Sequence, residues 1–93
     1  MITEKSNVRI PSQILWRKED GEVVLFDEES GEPYLLNEIG ARIWELCQQY
    51  GEVKEILRQL YKEYEGKETQ IKEDCLRLLN ELLQKNLLEE SEA

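Results

Sequence analysis

The side chains that could do chemistry here are few. Cys47 and Cys75 are the only thiols, they form no CxxC pair, and histidine is absent. Two isolated thiols cannot close a structural zinc site. Without histidine the chain lacks the commonest general base and the commonest metal ligand. Both cysteines fall on apolar stripes of predicted helices, where a free thiol packs as a small hydrophobe. Paired carboxylates occur at Glu28–Glu29 and Glu89–Glu90. One pair lies in a predicted turn and the other near the terminus, so neither has the burial that would shift a pKa toward acid–base work. These residues assign no catalytic group, no metal ligand and no cofactor.

Charge narrows the partners. Twelve basic side chains against 21 acidic ones give a net charge of −9 over 93 residues. A phosphate backbone is bound by clustered Lys and Arg. The cations here are interleaved with acids and form no basic face, so nucleic acid is excluded. No apolar run approaches the roughly 18–20 residues that cross a bilayer, which argues against a membrane. The polar start Met1-Ile-Thr-Glu-Lys-Ser-Asn has no apolar h-region, and the expected address is the cytoplasm, where the thiols stay reduced.

The elements that must position anything functional are short. Residues 1–7 read as a flexible N-terminus, residues 8–89 as one domain and residues 90–93 as an acidic tail. Pro11 sets an extended lead-in. Three strand signals follow, at residues 14–17, 22–26 and 33–36, broken by Asp20-Gly21 and by the Asp27–Gly31 turn. Asn37 caps a helix over 38–49, a second helix covers 53–64, and a third runs over 69–85 with Asn86 as its C-terminal cap. Strands first and helices afterwards give an α+β domain with a three-stranded antiparallel sheet.

Two elements carry more apolar residues than one buried face needs. On the third helix Ile71, Cys75, Leu78 and Leu82 make a core stripe, flanked by Leu79. Leu76 and Leu83 point about 100–140° away, on the side of Lys72 and Asn80. Either the first helix or the sheet covers this second stripe, or it is a groove open to a partner. In the sheet, Trp16, Val23, Leu25, Tyr34 and Leu36 point inward, which turns Leu15, Val24, Phe26 and Leu35 outward. A solvated face should be polar. The outward residues suit a homodimer or another protein, unless sheet twist buries them.

The stretch Val24-Leu-Phe-Asp-Glu-Glu-Ser-Gly-Glu-Pro-Tyr-Leu-Leu-Asn-Glu-Ile-Gly-Ala-Arg-Ile-Trp-Glu-Leu resembles the signature of the PqqD family. The likeness continues through Val53-Lys-Glu-Ile-Leu and Leu79-Asn-Glu-Leu-Leu, covering about residues 8–89. Ile39 stands where the family commonly has threonine, and Pro33 where an aromatic is frequent. The resemblance implies a winged-helix-like fold and a peptide chaperone, or precursor-peptide recognition element, with no catalytic activity of its own. It implies that the leader of a ribosomally made precursor peptide adds as a strand to Tyr34, Leu35 and Leu36 and lies against the third helix. Lys72, Leu76, Leu79 and Leu83 would line that groove, Lys72 receiving an acidic leader residue. It further implies a free-standing protein that presents the peptide to a radical S-adenosylmethionine enzyme or another peptide-modifying enzyme, in pyrroloquinoline quinone biosynthesis or a related pathway. Leu15, Val24 and Phe26 are the candidate surface for docking that enzyme.

Overall fold

The computed structural model describes residues 1–91. In chain order its elements are β1 (Asn7–Arg9), β2 (Ile14–Glu19), β3 (Glu22–Asp27), β4 (Pro33–Leu36), α1 (Glu38–Gln49), α2 (Val53–Glu63), α3 (Glu68–Gln84) and β5 (Glu89–Ser91). β2, β3 and β4 form an antiparallel sheet in that order, as the strand signals require. Asp20 and Gly21 both take positive φ (50° and 81°), the two-residue turn whose twist matches the strands it joins. Asn37 accepts the Gly40 N–H at 2.9 Å and starts α1. At the far end of α3, Asn86 has φ 61°, and the N–H groups of Asn86 and Leu87 return to the carbonyls of Leu83 and Leu82. That double closure is the Schellman ending, with Asn replacing the usual glycine.

α1 packs on β3 and against α2, with Trp44 and Leu46 completely buried between them. α3 completes the core with Cys75, Leu79 and Leu82. Its buried stripe is therefore centred closer to Leu79 than the sequence periodicity suggested, and Ile71 and Leu78 are only half-buried.

Two features depart from the sequence reading. β1 and β5 pair as a separate two-stranded sheet that ties the chain ends together. Three-residue strands are too short to show alternation, and the partners stand 80 to 84 positions apart. The N-terminal residues, expected to be loose because they are polar, are held by one apolar side chain: Ile2 is 2% exposed. Asn80 accepts the Ile2 N–H at 2.7 Å and donates to the Ile2 carbonyl at 3.0 Å, so one amide side chain satisfies both backbone groups. Of the expected acidic tail, Glu90 and Ser91 belong to β5, Glu90 accepting the Ser6 hydroxyl and pairing with the Met1 ammonium. Residues 92–93 lie outside the described residues.

Trp44 holds the centre of this core. Trp44→Ala is expected to cost about 3–5 kcal/mol, a large share of the stability of so small a domain. A denaturant melt that left the midpoint unchanged would show that the indole is dispensable. Burial pushes the Cys47 thiol up and the Cys75 thiol up to about 12. Both therefore stay protonated in mildly alkaline buffer. A thiol-specific disulfide reagent should label neither in the native protein and both in denaturant. Because the folded values lie above the unfolded ones, this contribution to stability is complete below about pH 9 and is lost as the pH climbs toward 12.

Candidate functional site

β4 pairs with β3 on one side only. Which of its backbone groups face the open side follows from the β2–β3 turn. A two-residue turn closes on a hydrogen-bonded pair, here Glu19 and Glu22. In an antiparallel ladder the direction alternates residue by residue. Val23 and Leu25 therefore point their backbone groups at Leu36 and Tyr34, their register partners on β4. Leu35 is left with its N–H and C=O directed at the open edge, and Pro33 adds a carbonyl but no N–H there. The proline sits where its missing donor breaks no ladder. Leu35 is the residue at which a further strand could both donate and accept.

α3 runs beside that edge, and Tyr34 bridges the gap. Its phenol donates to the Glu81 carboxylate at 2.6 Å, and the Lys85 ammonium stands 5.6 Å from the ring centre. The hydrogen bond to Glu81, helped by partial burial, pushes the Tyr34 phenol up to about 12. It remains a donor throughout the neutral range. Below this bridge a groove of about 700 Å³ opens between the β3–β4 turn and the C-terminal end of α3, with Asp27, Glu29, Glu32, Pro33, Tyr34 and Lys85 among its walls.

The residues singled out from the sequence divide three ways. Tyr34 and Leu35 reach this edge, Leu35 with its side chain 62% exposed on the outer face of the sheet. Leu36 and Leu79 are core side chains, 3% and 0% exposed, so neither offers a side chain to a ligand. Lys72, Leu76 and Leu83 lie on the Asn80 side of α3, away from Tyr34. There Lys72 is paired with Glu4 at 3.4 Å, and Leu76 and Leu83, one turn either side of Asn80, are half-buried. The apolar stripe left over in the sequence adjoins the chain's own N-terminal segment, which neither of the earlier alternatives foresaw. Glu81 and Lys85, which do face β4, were missed. The only signal for them was their four-residue spacing on a helix, which does not say which face meets the sheet.

The outer face of the sheet is apolar and uncovered. Leu15 and Phe26 are 52% and 41% exposed and directly opposed, and half-buried Val24 is opposite Leu35. Ile39, at the start of α1, is exposed as well. The helices pack on the other face. The acid pair Glu89–Glu90 is engaged in cross-strand ties to Arg9 and Ser6, whereas Glu28 and Glu29 stay exposed in their turn. Among the described residues no group of three or more His, Cys, Asp and Glu side chains is arranged to hold a metal ion, and no helix is long and apolar enough to cross a membrane.

Comparisons with known proteins agree on one relationship. The profile of the family described as coenzyme PQQ synthesis protein D (PqqD) matches residues 22–88. The structure "TbiB1 in Complex with the TbiA(beta) Leader Peptide" superposes with a TM-score of 0.82 at 30% identity, covering 87% of this chain and 94% of that one. "Lasso peptide synthetase B1 complexed with the leader peptide" gives 0.79 at 25% identity, covering 89% and 98%. No curated protein matches significantly.

Proposed function

The chain belongs to the PqqD family, and on that premise we propose that it is a peptide chaperone of ribosomally made and modified peptides. It binds the leader of a precursor peptide as a fourth strand on β4 and presents the peptide to a modifying enzyme. The observation that carries this reading is the open β4 edge at Leu35 beside the α3 groove, in a fold shared with two proteins solved with leader peptides. Main-chain pairing supplies affinity with little demand on sequence, and the flanking groove supplies selectivity. The contacts are the backbone of Leu35, the carbonyl of Pro33 and the side chains of Tyr34, Glu81 and Lys85, while the backbone groups of Tyr34 and Leu36 belong to the ladder with β3. Lys72, Leu76, Leu79 and Leu83 act from behind, as the packing that fixes α3.

The chain contributes binding rather than chemistry, and it acts in the cytoplasm. The enzyme, a radical S-adenosylmethionine protein or another peptide-modifying enzyme, docks on Leu15, Val24 and Phe26. Apolar residues on an uncovered sheet face support that assignment over a solvated role. The same patch could pair two copies of the chain, and the mass in solution distinguishes a dimer from a docking surface awaiting its enzyme.

Leu35→Pro removes the donor that faces the open edge while leaving the β3–β4 ladder intact. Titration with a candidate leader peptide that binds the unsubstituted protein should show affinity reduced about fivefold or more, the worth of one hydrogen bond, with the fold retained. In the unsubstituted protein the leader should shift the amides of Leu35, Leu36 and Glu81. Shifts confined to α2 would place the site elsewhere. Phe26→Glu sets a charge at the middle of the outer patch, where desolvation penalises a complex but not the free domain. Leader affinity should stay within about threefold while peptide modification slows. Equal loss of both would mean that the outer face belongs to the leader site.

A further inference from the structure

We propose that the groove selects leaders carrying a basic side chain just past the strand that pairs with β4. This rests on the leader reading above and adds to it a class of substrate. The groove's walls are unevenly charged. Of its four carboxylates Glu89 is paired with Arg9, whereas Asp27, Glu29 and Glu32 form no ion pair among the described residues, and the single lysine there, Lys85, stands over the Tyr34 ring instead of bridging to them. Asp27 is 9% exposed, and its carboxylate accepts the Glu29 N–H at 2.9 Å but meets no cation. A charge so far buried is normally matched by an opposite one.

A second source of negative potential converges on the same place. α3 ends at the groove, with its C-cap Lys85, Asn86 and Leu87 in the wall; no basic residue lies in its last turn, and the Lys85 ammonium is turned over the Tyr34 ring. The negative end of the helix dipole therefore adds to the three carboxylates, an arrangement that favours a cation. Position completes the argument. Beyond the backbone carbonyl of Pro33 the edge of β4 gives way to Glu32 and the turn before it. A strand paired at Leu35 and continued past Pro33 delivers its next side chains to these acids. A Lys or Arg there gains charge complementarity, and an acidic residue is repelled. The acidic leader residue expected to meet Lys72 has no such site, because that ammonium is paired with Glu4 on another side of α3.

The test uses the full chain and a phage-displayed library of random 12-residue peptides. Binders that shift the Leu35 amide should carry Lys or Arg at a constant offset from an extended apolar stretch. Replacing that residue by Glu should weaken binding about tenfold or more. Glu29→Gln with Glu32→Gln should weaken the same peptide about three- to tenfold and flatten its salt dependence. Glu65→Gln with Glu68→Gln, which removes equal charge at the opposite end of α3, should change affinity by less than about twofold. Binders that shift Leu35 yet carry no basic residue, or an equal loss with the Glu65→Gln and Glu68→Gln pair, would overturn the selectivity and leave the leader reading standing. A library that yields no peptide shifting Leu35 would overturn the leader reading and the selectivity with it.

Discussion

The arrangement depends on one strand that stays half-paired. β4 has an open edge because the element beside it in space is a helix, and a helix has no lateral backbone groups with which to complete a ladder. Tyr34 keeps the two apart at a fixed distance, its phenol bound to Glu81 and its ring under Lys85. The hydrogen bond is to a charged acceptor and so belongs to the stronger kind. Proline at position 33 blunts the edge at its start, as edges are commonly protected against unwanted pairing, while Leu35 keeps both backbone groups available. Affinity for an extended segment is thus a property of the backbone, and discrimination is left to the groove.

The rest of the chain serves to hold α3 in place. Trp44 and the apolar face of α1 fix the sheet beneath it, and the Schellman ending at Asn86 turns the chain so that Leu87 and Leu88 enter the core and β5 can reach β1. Ile2 and Asn80 then secure the other side of the helix. The N-terminal segment occupies the surface that the leucines of that side would otherwise expose, which leaves the β4 side as the free one. The outer sheet face, with Leu15 opposed to Phe26, is separated from the groove by the thickness of the sheet except along the β4 edge, where Pro33 lies opposite Phe26 and also lines the groove, and where Leu35 offers its backbone to one surface and its side chain to the other.

What the amino-acid sequence determined by itself was local. The Asp20-Gly21 turn, the Asn37 cap, the Asn86 ending and the alternation that turns Leu15, Val24, Phe26 and Leu35 outward depend on groups within a few residues of one another. For these, backbone sterics and side-chain periodicity are sufficient. The family signature between Val24 and Leu46 was legible for the same reason. Tertiary structure decided which face of α3 meets β4, because Leu76, Leu78, Leu79 and Leu83 are alike in hydrophobicity and only packing ranks them. It also decided the order of residues 1–9, since one buried isoleucine and a three-residue strand acquire meaning only when Asn80 and Glu90 are brought to them from the other end of the chain. The charge of the groove was settled in the same way. Asp27 and Glu32 are ordinary turn acids in the sequence, and they become one electrostatic feature only where the end of α3 closes over them.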